Sequence, residues 1–452
     1  MAISFSVGAL QTIMHSFEYP EDCRKLDILT ELQHAGVEFI VYNILHKLSF
    51  SDICSVFQVC SNWNSWDSDF YWNYELKSLV DKRPELKQVL VGIECPKLGV
   101  QSIVRLQKCW RETSNTKISV MMETSVLTAT CHGTRVYCGL NSGEVAVCDI
   151  KDGKEIRRKE LHNKGIKVVT FLPNTEIMVS GSYDGTVKLW DNNWSQVRTI
   201  VLNVAVTDIA FANITNSHVM LVTGDEGCVT CFSCDGYQVL WSVSGGEMVN
   251  CVVAWQGHVV TGSDAGNLDM RSADTGQVDQ SLTGHDRGCG ISGLAVSHLG
   301  LWSASFDCKM RLWNSAGDCL CVLIGHTNPV RCMTVDRSRV VSGDYRGFVM
   351  IWDMADIEEE LWKHKLKQKK SKCTKTQTPG IYKMQGRQVI RTGGDTCEVL
   401  QHSSLLEHHG NVTAVVLSGA NILISCSRDR SFNIHHFNHV AKTKNYERKS
   451  YL

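Results

Sequence analysis

Residues 177–191 set the pattern for most of this chain. Ile177-Met178-Val179 is an apolar run that leads into Ser180-Gly181-Ser182, and Tyr183-Asp184-Gly185 then supplies turn chemistry. Thr186 to Trp190 alternates polar with β-branched or apolar residues. The pattern predicts a strand, a tight turn and a second, half-buried strand. The same phrase returns at Ser303-Ala304-Ser305-Phe306-Asp307 with Met310 to Asn314, and at Ser342-Gly343-Asp344-Tyr345-Arg346-Gly347 with Val349 to Asp353. With Trp190 as marker, the equivalent positions are Cys148, Trp190, Phe232, Arg271, Trp313, Trp352 and His435. Their steps are 42, 42, 39, 42, 39 and 83 residues, a period that suits four-stranded units stacked in a ring.

The last step is close to two periods. Lys363 to Pro379 reads as a basic insertion without alternation, whereas Gly380 to Gly393 mirrors Val330 to Gly343 at a constant offset, and Cys397 to Leu400 can be a further strand. A long structureless loop is rare in a compact domain, so this favours eight units over seven. Lys117-Ile118-Ser119-Val120-Met121 stands just before the first unit and can pair with the last, leaving the ring no open seam.

The first quarter has a different period. Leu26, Ile28, Leu29 and Leu32 suit a short amphipathic helix over 24–34, able to pack on its own neighbour or on a second copy of the chain. Phe39, Ile40, Ile44 and Leu48 form a second stripe. Ser49 to Asp52 fits a capping box before Ile53, Val56, Phe57 and Cys60. Ser68-Asp69 can cap a third helix with Trp72, Leu76 and Leu79 one turn apart. Asp81 to Arg111 reads as a semi-rigid helical linker with Pro84 in a first turn, and its apolar face carries Leu90, Val91, Ile93, Ile103, Leu106 and Trp110.

Two resemblances follow from these residues. The repeated phrase, with its Trp-Asp endings and its spacing, resembles the WD-repeat family, which implies a β-propeller over 113–452. Ile44, Leu45 and Leu48, then Asp52-Ile53, Val59-Cys60 with Trp63, and Trp72 with Leu76 resemble the F-box motif in order and spacing. Where that family opens on Leu-Pro, this chain has Ala35-Gly36. The fold expected is therefore mainly β: a WD-repeat β-propeller preceded by an all-α F-box domain and a linker. The domains run 1–23 as a tail, 24–80 as upstream helix and F-box, 81–112 as linker and 113–452 as propeller, with a basic insertion at 363–379.

Composition narrows the function. The 452 residues, 43% hydrophobic, can bury a large core, and 46 basic against 47 acidic side chains create no global field toward nucleic acid. No run of eighteen apolar residues offers a membrane span, and Met1 to Phe17 lacks the basic flank of a secretion signal. The expectation is a soluble protein of cytoplasm or nucleus, whose 20 cysteines are thiols packed as small hydrophobes.

His162, Ser180, Asp184 and Trp190, and likewise His285, Ser303, Asp307 and Trp313, match the hydrogen-bonded chain that WD repeats build inside a blade. A His–Asp pair could serve acid–base chemistry, but mutual satisfaction in the interior is the plainer reading. In a third copy His326 and Trp352 face Arg346 where Asp would stand, so that blade should be less tightly tied. Cys228, Cys231 and Cys234 have ligand-like spacing, yet along a strand Cys228 and Cys231 point to opposite faces and no fourth ligand is near. Lys363, Lys365, Lys367, Lys369, Lys370 and Lys372 form a run that suits a solvated loop or an acidic partner. No phosphate loop, nucleophile motif or zinc-protease helix is present. No cofactor or metal is expected, and the chain itself is not expected to be catalytic.

The residue two before each turn glycine lies on one rim of a propeller: Asn141, Tyr183, Glu226, Asp264, Phe306, Tyr345, Asp395 and Arg428, with Arg346 and Arg430 adjacent. Of these, Asn141, Tyr183, Phe306, Tyr345, Arg346 and Arg428 are the candidate substrate contacts. Aromatic anchors among carboxylates suit an unmodified peptide with apolar and basic residues better than a phosphorylated one. The F-box resemblance implies that Ile44, Leu45, Leu48, Ile53, Val59, Trp63, Trp72 and Leu76 dock a Skp-type adaptor and, through it, a cullin ligase core. The chain would then be the substrate-recognition subunit that brings a protein to ubiquitination. The rival is a WD-repeat scaffold without ligase function.

Overall fold

The computed structural model of the chain describes residue 45 and residues 50–57, 69–93, 95–214, 217–371, 383–384, 387–388, 397–400 and 404–437. Two compact units divide the chain between Trp110 and Arg111. No helix among the described residues is long and apolar enough to cross a membrane.

The first unit is helical. Leu45 is helical and almost fully buried, α1 spans Phe50–Phe57, and α2 spans Asp69–Lys82 with Lys82 in its last turn. Tyr71 and Trp72 are fully buried and meet edge to face at 5.0 Å. A 3-10 turn over Pro84–Leu90 begins at its proline, and α3 spans Pro96–Arg111. Gly99 of α3 allows the close approach: a Cβ there would stand 3.1 Å from Leu76 and 3.2 Å from Leu90. Ile103, Leu106 and Trp110 are buried as the sequence pattern requires, while Val91, expected on the same face, is 83% exposed. The helix expected over 24–34 lies outside the described residues, as do Ile44, Leu48, Val59 and Trp63.

The second unit is a β-propeller of seven blades, which corrects the expectation of eight. Its inner strands are Val126–His132, Ile166–Phe171, Val206–Ile214, Val249–Trp255, Ile291–Ser297, Val330–Val335 and Val412–Ser418. Each packs on the next, and the last returns to the first. The marker residues Cys148, Trp190, Phe232, Arg271, Trp313, Trp352 and His435 all lie on the third strands. Each pairs with the residue twelve positions earlier, from Val136 in blade 1 to Leu423 in blade 7.

There is no eighth inner strand because those of blades 6 and 7 are direct neighbours. The extra residues are an insertion within blade 6, whose third strand is Phe348–Asp353 and whose fourth is Ser404–Leu406. The described part of the supposed blade contributes a two-residue hairpin and Cys397–Leu400, which adds in parallel to the outer strand Cys319–Ile324 of blade 5. The start of the lysine run is also not a loop. Helix α4 spans Met354–Ser371, with Asp353 Oδ1 accepting the Ala355 N–H at 3.0 Å as its cap. Met354 and Ile357 are fully buried between blades 5 and 6, and Lys363 pairs with Glu359 one turn back at 2.8 Å.

Strand Thr116–Met121 pairs with Ser431–His436 and completes blade 7, as the sequence suggested. A side-chain link reinforces this seam. Glu407 places Oε2 2.8 Å from Lys117 Nζ on the closing strand and 3.2 Å from His435 Nε2 on its partner. Burial would raise the Glu407 carboxyl, but His435 and Lys117 outweigh it and hold it at about 2.

A group lowered in the fold contributes stability above its unfolded value and loses it as pH falls toward the folded one. Glu407→Gln should therefore cost up to about 3 kcal/mol at neutral pH. The gap to the parent protein should close as pH drops from about 4.5 to about 2. Denaturant unfolding across that range measures it.

Candidate functional site

The His–Asp pairs are interior struts. His162 Nε2 lies 2.8 Å from Ser180 Oγ, its Nδ1 lies 3.0 Å from Asp184 Oδ2, and the Trp190 indole donates to Ser180 Oγ at 3.0 Å. His285 repeats this with Ser303 at 2.7 Å and Asp307 at 2.8 Å, and Trp313 donates to Ser303 at 2.8 Å. Arg311 donates to Asp307 at 2.7 Å. Burial would raise the Asp307 carboxyl, yet His285 and Arg311 hold it far below the usual range. Burial holds His162 and His285 below the ordinary imidazole value, so both rings are neutral near pH 7. Both are at most 1% exposed at the side chain, with no room for a substrate.

The third chain differs from expectation. Asp344, two positions before Arg346, supplies the carboxylate: His326 Nδ1 lies 3.1 Å from it, and Nε2 lies 2.6 Å from Ser342. What is missing is the last link, because the buried Trp352 indole N–H has no acceptor. A fourth chain escaped notice. His408 lies 2.9 Å from Ser425 and 3.4 Å from Asp429, at nearly the same spacing, but His435 stands where Trp would mark it.

The seven rim positions are fixed by one backbone bond each. Asn141, Tyr183, Asp225, Asp264, Phe306, Tyr345 and Arg428 all donate their N–H to a carbonyl just before the inner strand of their own blade. Asp225, not Glu226, is thus the blade 3 member, and Asp395 lies outside the described residues. The following turn puts glycine in the left-handed region in five blades, while Cys308 and Arg430 hold that conformation with side chains, at φ 65° and 71°.

Of the six candidate contacts, Phe306 and Tyr345 come together, with ring centroids 5.7 Å apart at 80°. Arg331, which the rim pattern did not single out, completes the cluster: its guanidinium carbon is 5.9 Å from the Phe306 ring and 5.8 Å from the Tyr345 ring. Arg346, Arg428 and Asn141 are exposed, and Tyr183 is half-buried on blade 2. Acidic side chains gather on blades 3 and 4 (Asp225, Glu226, Asp264), and the Asp225 Oδ1 is buried without a partner.

A concavity of about 610 Å³ runs along Gln196–Val201 and Val229–Val243 on blades 2 and 3, where Arg198 lies 5.4 Å from the Tyr237 ring. Cys228 lines this groove, whereas Cys231 is buried in an apolar cluster with Leu221 and Val259, and burial pushes its thiol up to about 11. The cysteine spacing thus reflects strand geometry, and among the described residues no group of three potential ligands converges.

In the helical unit, the candidate adaptor contacts Leu45, Ile53 and Trp72 are 1%, 5% and 1% exposed, so they pack inside it, and Leu76 is half-buried. Among the described residues of this unit, the exposed large apolar side chains are Tyr74, Val91 and Leu98.

Residues 153–191, 276–314 and 317–353 match the family described as WD domain, G-beta repeat. The chain carries WD repeats, and its second unit is a WD-repeat propeller of seven blades, the architecture of a protein-interaction scaffold. It is 26% identical over 186 residues to a striatin homolog of Dictyostelium discoideum, covering 36% of this chain and 22% of that protein. It is 23% identical to apoptotic protease-activating factor 1 of Danio rerio, covering 43% and 16%. It is 26% identical to periodic tryptophan protein 2 of Arabidopsis thaliana, covering 47% and 24%. The chain thus spans no more than a quarter of these relatives' length. Among solved structures it resembles the crystal structure of the computationally designed Ika8 protein, at 18% identity and TM-score 0.49, over 70% of this chain and 97% of that one.

The struts differ in one testable respect. Trp313→Phe removes a made hydrogen bond and should cost about 1 kcal/mol more than Trp352→Phe, which removes none. Parallel thermal or denaturant unfolding of the two variants reads the difference.

Proposed function

We propose that the chain is a substrate receptor: the propeller's rim holds an extended segment of a client protein, and the helical unit docks a Skp-type adaptor of a cullin ubiquitin ligase. The observation that carries the first half is the Phe306–Tyr345–Arg331 cluster. Two rings at right angles beside a cation form an anchor for an apolar side chain, and half-exposed aromatics of this kind dominate recognition energy at peptide-binding faces. The carboxylates of blades 3 and 4 favour a basic residue further along the same segment.

The ligase half rests on the order of F-box-like residues from Ile44 to Leu76 and on a helical unit separate from the propeller. With Leu45, Ile53 and Trp72 forming its interior, the adaptor would meet its outward side, where Tyr74 is 48% exposed. The chain performs no chemistry in this reading. It raises the local concentration of client lysines beside the transferring enzyme, in cytoplasm or nucleus. A WD-repeat scaffold with another partner for the helices is the second reading, favoured by the Ala35-Gly36 corner.

Capture of the full-length protein on a purified Skp-type adaptor separates the two. The ligase reading expects binding that Leu48→Asp with Tyr74→Asp abolishes while Phe306→Ala leaves it intact. A folded chain that the adaptor does not retain would leave the scaffold.

A further inference from the structure

The second residue of every inner strand sits at a bulge beside the rim, and the fold uses most of these positions to tie one blade to the next. Thr207 Oγ1 donates to the Val249 carbonyl at 2.5 Å, Asn250 to Ile291 at 3.1 Å, Ser292 to Val330 at 2.7 Å and Thr413 to Val126 at 2.7 Å. Each of these bonds reaches the first residue of the neighbouring inner strand. Blade 1 has the buried Leu127 there. Blades 2 and 6 break the rule with Lys167 and Arg331, which make no such bond and, among the described residues, have no carboxylate within ion-pair distance.

These two cations and Asp208 are the Lys, Arg, Asp and Glu residues on the seven inner strands, and the histidine there, His132, stands at the far end of its strand beside Glu176. Asp208 does not neutralise either cation by contact, since its carboxylate accepts the backbone N–H groups of Ile209 and Val252, both at 2.9 Å. Lys167 on blade 2 and Arg331 on blade 6 both stand second in their inner strands, at the same level of the channel. Burial, and then the charge of Arg331, lower the Lys167 ammonium to about 8, against the raising effect of Asp208. Half-buried charges held this way, at positions where the fold elsewhere uses a small neutral hydrogen-bonder, cost stability and leave an attraction unsatisfied.

We propose that the rim-side mouth of the channel binds one carboxylate of the client segment, an Asp or Glu side chain, with Arg331 as its principal partner and Lys167 completing the site. This rests on the reading of the rim as a peptide-holding face. Two cations against one carboxylate leave a single net positive charge, which matches a monoanion rather than a doubly charged phosphate. Arg331 already lies against Phe306 and Tyr345, so its fork is oriented by the same rings that would seat the neighbouring apolar residue. The recognised element is thus an apolar residue with an acidic one close by.

The test uses the full chain and a positional-scanning library of acetylated, amidated decapeptides, read by fluorescence polarisation. One subset carries phosphoserine at the scanned positions. Pools with Glu or Asp fixed next to an aromatic or aliphatic residue should bind about tenfold or more above the matched Gln and Asn pools, in the range of a charge-assisted hydrogen bond. Arg331→Met should erase that preference while keeping the aromatic one, and Lys167→Met should reduce it. Circular dichroism checks that both variants fold. Pools that bind without distinguishing Glu from Gln, a preference that survives Arg331→Met, or phosphoserine outbinding Glu would each overturn the carboxylate site. Failure of every pool would instead sink the peptide-holding reading of the rim.

Discussion

The propeller depends on closing a ring of seven inner strands from a linear chain. Every backbone group at the seam must find a partner, because an open blade edge is costly and invites association. The chain solves this by pairing Thr116–Met121, the first strand among the described residues, with Ser431–His436, the last of them, so that blade 7 is complete only when both are present. Lys117 on the closing strand pairs with the Glu407 carboxylate, and His435 on its partner lies 3.2 Å from the same oxygen, at the seam where the ring closes. Between blades, the side-chain bonds of Thr207, Asn250, Ser292 and Thr413 stitch the inner strands together near the rim. Inside blades, the His–Ser–Asp chains fix the register of the strands they join.

This rigidity gives the rim its meaning. Phe306, Tyr345 and Arg331 come from blades 5 and 6, yet their mutual geometry is fixed to within the stiffness of the ring. Binding groups on short turns braced by a closed sheet lose little entropy on recognition. The same ring makes the departures from its own rule informative. Where a Thr or Ser would have tied blade to blade, Lys167 and Arg331 leave the tie unmade, and position 331 lies beside two rim aromatics that touch.

Much of this was legible in the chain, for definite reasons. The seven marker residues fall at one register because a strand, a tight turn of fixed length and a strand tolerate no insertion without flipping every side chain. Two of the His chains could be read because each ends on a Trp. The chain of His408 could not, since His435 stands in that place. Asp344 was misjudged because a carboxylate two residues early still reaches the imidazole across a tight turn. The blade count failed on the stretch after Trp352. Its residues 380–393 mirror Val330 to Gly343 at a constant offset, while Ile357 and Leu361 with Glu359 and Lys363 carried an unread helical period. Lys167 and Arg331 emerge once the strand starts are aligned, because only then does each stand beside Thr, Asn or Ser in its neighbours. The helical resemblance lies largely outside the described residues, and the interior placement of Leu45, Ile53 and Trp72 could not be separated from a docking role by periodicity alone.

The central claim is that the rim-side ends of the inner strands divide into ties that hold the ring and cations that do not. The most direct measurement compares equilibrium unfolding of Thr413→Val and Thr207→Val with that of Arg331→Met and Lys167→Met. The account predicts that each valine variant loses about 1 kcal/mol or more, while each methionine variant is as stable as the parent or more so, since a buried repulsion is relieved. Methionine variants that destabilise the ring as much as the valine ones would contradict it, for the cations would then be struts and not a site.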